Sequence, residues 1–570
     1  MHKDYKTFII EDVVAMDLKA KTGDSTLDVL VEGIQRHIGR KILPSPFNVY
    51  AADPILFHIA LTHIQYATAK VEAHLGAVTD DTLMNPRIKD NILYAEARFG
   101  NDKGQGIGYD LHPVPLKRTT RSLAERIDLM IDGSSGNGML RNASDSYDEF
   151  VSSSKWDSSV IVPNLSRVQP VPKLEDITSL AKKLIPTQKL LYLAKTCSGI
   201  LSEHGNDGKV TIQVHDEIRR LATSEGTIIR DGFFGYAVMF EVETRGGSKK
   251  DAPMSFYQTL YFTDEDTITI EKRMLRLAKR MLKEVDKRKK NTVEVTNGLY
   301  PVLLYQGAMA TQLHECFVHF LASDEILDND STSLGWENFG KMCTNPNLSV
   351  YSNPGLEGKW GSMQFDHEGI PAQRRLLVEN GRVRGYLADR NGAYHLSRLT
   401  GTEILPGDAR IGYPSGCSDP VSQPRISNLE FEYSKPDAPK TRKEMFQLFV
   451  KYLQENNIEK GILLPDSSGA ASWPQEGVIE ASPHFPYVVT ASGETHPARF
   501  ITTRSDVHTF LRNIVTMGGP LDYTPHQCGA GENEDSWRWV RAGISCGTAI
   551  VKDMHIYGNR PEELRQPQIR

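Results

Sequence analysis

The chain lacks any long hydrophobic run. Hydrophobic residues make up 39% and charged residues 24% of its 570 residues, which is the balance of a globular protein. No apolar stretch approaches the roughly 20 residues that a membrane-spanning helix needs. The amino-terminal stretch MHKDYKTFIIEDVV has acidic residues within its short apolar part and no small-residue cleavage site, unlike a secretory signal. We therefore predict a cytoplasmic protein that does not bind membranes.

Cysteine is also scarce, and positive charge is not in excess. The six cysteines contain no C-x-x-C pair, so the sequence indicates neither a disulfide framework nor a zinc ribbon. The formal net charge is −6, and we find no DNA-binding motif, so we predict no nucleic-acid partner. The basic residues 287–290 fit a solvated helix end better than a nucleic-acid contact.

The chain is longer than a domain with a single hydrophobic core usually is, so we predict at least two domains. We expect an α+β fold, with a mixed α/β domain at residues 1–295 and a β-rich, barrel-like domain at residues 296–570. In the first domain, residues 270–285 carry apolar side chains at helical spacing and predict an amphipathic helix. Residues 56–77 are apolar with mixed periodicity, so helix and strand both remain open there.

The second domain begins with a strand-like run at residues 301–305, rich in β-forming residues. Gly307 ends this run, and a helical pattern follows that we place at the junction of the two domains. Farther along, short alternating segments are separated by Gly, Pro, Asn and Asp. Residues 374–389 and 486–503 contain turn sequences between such segments and predict two β-hairpins.

The helical pattern after Gly307 contains an unusual histidine spacing, QLHECFVHFL. Glu315 follows His314 directly, as in the H-E-x-x-H helix of zinc hydrolases, but the second histidine, His319, comes five positions after the first. On a regular α-helix, residues five apart point about 140° away from each other. Both imidazoles can bind one ion only if a π-turn lies between them or the helix breaks before His319. We predict one of these two arrangements.

The surroundings of this motif bear on whether it is a metal site. A chain with 17 histidines contains such spacings by chance, and the simpler interpretation is two unrelated histidines on a partly buried helix. However, the sequence LYPVLLYQGAMATQLHECFVHFLASD resembles the zinc-motif segment of the TldD/PmbA metallopeptidase family. Residues 365–396, 423–428 and 528–554 are similar, in the same order, to later segments of that family.

This resemblance implies a zinc-dependent metallopeptidase. His314 and His319 match the two histidine ligands of the family, and Cys528 matches its third zinc ligand. Glu315 matches the catalytic glutamate, the general base. Two imidazoles and a thiolate suit Zn²⁺ and leave a fourth position for water.

The resemblance also implies substrates and partners. Family members cleave peptides or unfolded polypeptide segments, and they act as dimers. We therefore expect a homodimer or a heterodimer with a TldE-like subunit, in which this chain is the TldD-type catalytic subunit.

The sequence departs from the family pattern at three places, one of which is the stretch GENEDSWRWVRAG after Cys528. Cys316, Phe317 and Val318 are bulkier than the family's residues between the glutamate and the second histidine, and residues 366–369 read Asp-His-Glu-Gly in place of Asp-Asp-Glu-Gly. We expect these changes to alter the substrate channel and to leave the ligands intact, with Cys316 itself in the core.

The bulky residues also support an alternative function, which is a non-catalytic zinc-containing scaffold subunit of a dimeric complex. The retained Glu315 argues against this alternative, because a structural zinc needs no base. A nucleic-acid-associated regulator is a third hypothesis. The acidic charge balance and the lack of a DNA-binding motif weigh against it.

Overall fold

The structure is a computed structural model. It describes residues 22–38, 55–82, 87–100, 106–115, 122–132, 172–174, 185–244, 254–327, 334–412, 422–530 and 538–558. Its helices are α1 (Ser25–His37), α2 (Leu123–Asp132), α3 (Thr187–Leu201), α4 (Thr267–Lys290), α5 (Gln306–Phe317), α6 (Ser323–Leu327), α7 (Arg390–Thr400), α8 (Arg442–Glu455) and α9 (Val507–Arg512), with 3₁₀ turns at Glu203–Gly205 and Trp336–Asn338.

The strands form two large sheets and one small one. The first, eight-stranded sheet contains β1 (Ile55–His74), β2 (Ala77–Asp81), β3 (Arg87–Gly100), β4 (Gly106–Pro115), β5 (Pro172–Leu174), β6 (Asn206–Thr223), β7 (Ile228–Thr244) and β8 (Ser255–Phe262). The second, 13-stranded sheet contains β9 (Gly298–Leu304), β10 (Leu348–Ser352), β11 (Arg375–Glu379), β12 (Arg382–Val383), β15 (Asn428–Tyr433), β16 (Lys460–Leu464), β17 (Asp466–Trp473), β18 (Val478–His484), β19 (Tyr487–Thr490), β20 (Thr495–Pro497), β21 (Thr502–Asp506), β22 (Ile514–Ala530) and β23 (Arg538–Tyr557). The third sheet pairs β13 (Ala409–Ile411) with β14 (Ser422–Pro424).

The first sheet has the strand order β4-β3-β1-β6-β7-β5, and β2 and β8 pair with β1 and β7. The 20-residue strand β1 occupies the segment for which the sequence left helix and strand open. Helices α3 and α4 pack on β6 and β7 in one hydrophobic cluster. The amphipathic helix predicted at residues 270–285 is confirmed, because α4 buries Ile270, Met274, Leu277, Met281 and Val285.

The second sheet is arranged around the long strand β23, which pairs with β9, β15, β21 and β22. Its main path runs from β12 to β20, so the described strands form an open sheet. Both predicted hairpins are present, as β11–β12 and β19–β20. Asn380 and Gly381 both have positive φ (47° and 78°) in the first turn, where Asn and Gly are the preferred residues. The α+β class is confirmed, and the domain boundary at 295/296 stays a prediction.

Buried side chains connect the two large sheets. Trp360 is 2% exposed and packs edge-on against Phe233 of β7, with ring centroids 5.2 Å apart. Arg219 of β6 donates from Nη1 to the carbonyl oxygen of Asp366 over 2.7 Å. Arg390 at the start of α7 makes a bidentate ion pair with Glu225, with N–O distances of 2.6 and 2.7 Å. Buried contacts therefore connect the two chain halves, each of which has its own hydrophobic clusters.

Across the described ranges, no helix combines the length and the apolar character needed to cross a membrane.

Replacing His484 should make the protein less sensitive to acid. This side chain is buried against Phe256 and Phe485, and burial lowers its pKa to about 3. The unfolded chain binds a proton near pH 6.5, so folding loses stability as the pH falls from about 6.5 towards the folded pKa, by at most about 1.4 kcal/mol per pH unit. We expect the melting temperature of His484→Leu to fall less steeply than that of the wild type between pH 6.5 and 4. Parallel slopes would contradict this prediction.

Candidate metal centre

Helix α5 carries the histidine motif and is buried on almost every side. It follows β9 directly, and ten of its twelve residues are buried. Gly307 lies where the helix meets β17, and a Cβ there would be 2.3 Å from a carboxylate oxygen of Asp466, so this close approach requires glycine. Farther along, Gln312 donates from Nε2 to the Thr503 hydroxyl over 2.9 Å. These contacts fix the helix on the second sheet.

The helix ends between the two histidines. Its last residue is Phe317, and the amide of the capping residue Val318 donates to the carbonyl of His314 over 2.9 Å. His319 lies in the turn that follows. Of the two arrangements predicted from the five-residue spacing, the structure has the helix break rather than the π-turn.

Strand β22 brings Cys528 to the two histidines. One ligand atom from each of His314, His319 and Cys528 can be chosen so that all three lie within 4.8 Å of one another. The Cys528 sulfur is 3.9 Å from Nε2 of His319, and the two imidazole rings meet edge to face with centroids 5.4 Å apart. All three residues are buried. The structure therefore assembles the predicted ligand residues, whose role as ligands stays a prediction.

Burial keeps these three donors uncharged in the metal-free chain. It lowers the pKa of His319 to about 3, with a further lowering by the nearby Arg425 guanidinium. It also holds the pKa of His314 well below its ordinary value and raises the pKa of Cys528 to about 12. Neutral imidazoles are the metal-binding form, whereas the thiol must release its proton when a metal binds.

Glu315 lies beside this group and is itself buried. One of its carboxylate oxygens is 3.8 Å from Nε2 of His319, the same nitrogen that faces Cys528. Burial raises the pKa of Glu315 to about 7, opposed by a hydrogen bond from Ser472 of β17. A carboxylate with this pKa can accept and release a proton near neutral pH.

Two further polar residues at the centre were missed by the sequence analysis. His526 places Nε2 2.7 Å from Nδ1 of His314. Arg425 lies close enough to lower the pKa of Cys528 and both motif histidines. His526 had a usable signal, because residues two apart on a strand face the same side and Cys528 was already a candidate.

The bulky motif residues are part of the core. Cys316, Phe317 and Val318 are each at most 1% exposed and belong to the main hydrophobic cluster of the second sheet. The expectation that they alter the substrate channel stays a prediction. The assignment of Cys316 to the core is confirmed.

Residues 366–369, where the sequence differs from the family's Asp-Asp-Glu-Gly, lie close to the first sheet. Oδ1 of Asp366 accepts from the amides of Glu368 and Ile370 at 2.9 and 2.8 Å. Gly369 has a φ of +83°, and a Cβ there would be 2.7 Å from the Thr227 side chain. The segment thus forms a tight turn against the first sheet.

Comparison with known proteins agrees with this architecture. The sequence profile of the PmbA/TldA metallopeptidase C-terminal domain matches residues 297–558, which include α5 and β22. The carboxy-terminal half of the chain is therefore similar to a domain of the TldD/PmbA family. A TldE from Thermococcus kodakarensis has a TM-score of 0.59 and 14% identity, over 88% of this chain and 97% of that chain. At such identity the structural likeness establishes the fold alone.

Two relatives of this chain carry protease names. A metalloprotease TldD homolog from Haemophilus influenzae is 29% identical over 138 residues, which are 24% of this chain and 26% of that protein. A metalloprotease from Archaeoglobus fulgidus is 23% identical over 242 residues, which are 42% of this chain and 50% of that protein. The chain therefore spans half or less of the length of these relatives.

A matched pair of cysteine variants tests the ligand set. Cys528→Ala removes the thiol of the cluster, and we expect its zinc affinity to fall by more than about 100-fold, since changes outside the ligand shell already cost 10–100-fold. Cys316→Ala removes a buried thiol that points into the core, and its zinc affinity should stay within a few-fold of the wild type. Competition with a chromophoric chelator measures both. Equal affinities of the two variants would contradict the assignment.

Proposed function

We propose that this chain is a zinc-dependent metallopeptidase of the cytoplasm that hydrolyses peptides or unfolded polypeptide segments. The observation that carries the proposal is the convergence of His314, His319 and Cys528 beside a buried Glu315. The similarity of the carboxy-terminal half to a family domain and the protease names of the relatives support the same reaction class.

The donor set fits zinc by its chemistry. Two imidazole nitrogens and one thiolate sulfur are ligands that Zn²⁺ prefers, and a catalytic site has three protein ligands and one open position. The three residues are neutral and buried without a metal, so the site can take a cation at the cost of one thiol proton. We propose His314, His319 and Cys528 as the ligands. When bound, zinc would activate a water molecule and polarise a carbonyl group.

Glu315 is proposed as the general base. Its carboxylate is not a member of the three-residue cluster, but it lies beside the Nε2 of His319. Because burial raises its pKa to about 7, the carboxylate can take a proton from the attacking water and return it to the leaving amine. The hydroxyl of Ser472 helps to hold the carboxylate in its ionised form.

We propose a place for an extended peptide beside this base. Strand β17 contains Ser472, and of the described strands it pairs with β18 alone. The other edge of β17 therefore has no strand partner among the described residues, and a peptide can bind there by strand addition. We propose that the substrate main chain aligns along this edge, which brings a peptide bond to Glu315.

Assembly follows from the family and remains a proposal. A protein named TldE shares the fold, and we propose that this chain acts as a homodimer or with a TldE-like subunit. The alternative function, a zinc-containing scaffold subunit without catalysis, is less consistent with a buried acidic side chain next to the ligands, because an unused buried carboxyl group costs stability.

The variant Glu315→Gln separates catalysis from metal binding. Glutamine has nearly the same volume but cannot take a proton, and positioned proton transfer contributes about 10²–10⁴-fold in rate. We expect turnover of a peptide substrate to fall by at least about 100-fold while bound zinc stays at the wild-type level.

His314→Ala serves as the contrasting variant for this experiment, since it should lose zinc and activity together. If Glu315→Gln cleaves peptides as fast as the wild type, the peptidase mechanism fails. If the wild type holds zinc but cleaves no peptide, the scaffold alternative is favoured.

A further inference from the structure

A chain of three hydrogen-bonded groups leads from strand β22 to the motif helix. The carbonyl oxygen of Thr524 lies 3.2 Å from Nδ1 of His526. On the other side of that ring, Nε2 lies 2.7 Å from Nδ1 of His314. The two rings are nearly perpendicular, at 85°, with centroids 4.6 Å apart. His526 therefore bridges a backbone carbonyl and a proposed zinc ligand.

The direction of each hydrogen bond follows from the first group. A carbonyl oxygen can only accept, so Nδ1 of His526 carries the hydrogen and donates to Thr524. A neutral imidazole has one N–H, which leaves Nε2 of His526 as an acceptor. Nδ1 of His314 must then carry a hydrogen and donate to it. The single lone pair that remains on the His314 ring is on Nε2.

We propose that His526 is a positioning residue that fixes His314 in the tautomer and ring orientation that present Nε2 to the zinc ion. The inference deepens the proposed function and rests on it for the identity of the metal. Histidine ligands commonly donate their second nitrogen to a carboxylate, a carbonyl or water. Here a second imidazole is the acceptor, so no negative charge is added behind the ligand.

The geometry favours this role over direct metal binding by His526. Within the described part of the chain, the group of mutually close donor atoms comprises His314, His319 and Cys528 and does not include His526. Its Nε2 is at hydrogen-bond distance from His314, and its Nδ1 is engaged by Thr524. Both nitrogens of His526 are thus used in the relay, and neither is left to bind a metal.

Two variants of His526 test whether an acceptor is needed. His526→Leu keeps an apolar volume but removes the acceptor, and we expect zinc affinity to fall by about 10–100-fold. His526→Gln can place its amide oxygen at about the reach of Nε2 and accept the same hydrogen bond. Its zinc affinity should stay within about three-fold of the wild type, because the acceptor rather than the ring is required.

The measurement is zinc competition with a chromophoric chelator on the full chain, with metal-free melting curves to check folding. His484→Leu, which removes a buried imidazole in contact with Phe256 and Phe485, is the matched control and should bind zinc like the wild type. If His526→Leu binds zinc as tightly as the wild type, the inference is overturned. If His526→Gln binds zinc as weakly as His526→Leu, the inference is also overturned, because that result would indicate that His526 is itself a fourth zinc ligand.

The same titration separates this inference from the proposed function. If the wild-type chain binds no zinc, both the proposed function and the role of His526 are rejected. If the wild-type chain binds zinc and His526→Leu binds it with the same affinity, only the role of His526 is rejected, and the proposal of three ligands stands.

Discussion

Backbone hydrogen bonds between Leu387 and the segment after helix α5 set the geometry of the candidate centre. The amide of Leu387 donates to Leu321, and the amide of Ser323 donates to Leu387, at 2.8 and 2.9 Å. These bonds hold the chain that follows the turn at residues 318–320. His319 lies in that turn, outside the helix, so the angular separation of about 140° that a continuous helix imposes does not apply to it. The helix thus ends before His319, which allows two histidines five residues apart to approach each other.

Once the histidines converge, burial determines their chemistry. The centre lies within the largest hydrophobic cluster of the second sheet, which includes Cys528. An interior of this kind disfavours charge, and its donors are accordingly neutral imidazoles and a protonated thiol. Uncharged donors cost less to bury than ionised ones, so we expect the chain to fold before it takes up a metal.

Local patterns predicted the elements that depend on neighbouring residues. The periodic apolar side chains of α4 and the turn sequences of the two hairpins were sufficient, because helix faces and tight turns are specified within a few residues. The helix break was predicted as one of two alternatives from spacing alone. Cys528 was assigned only through the family resemblance, since no local pattern connects a strand residue to a distant helix.

Contacts between distant elements could not be predicted in this way. The partners of the centre, Ser472, Arg425 and His526, depend on the registers of separate strands around α5. The burial of the bulky residues between the motif histidines depends in the same way on strands that are distant in the sequence.

The contacts between the two sheets affect how the protein unfolds. Arg390 and Glu225 are a buried ion pair contributed by opposite halves, and removal of one partner from such a pair typically costs about 3–5 kcal/mol. Trp360 likewise loses contact with its aromatic neighbours if the first sheet separates from the second. Separation of the halves is therefore penalised before either core is disrupted. We expect a single cooperative unfolding transition, in which the metal-binding half does not outlast the other.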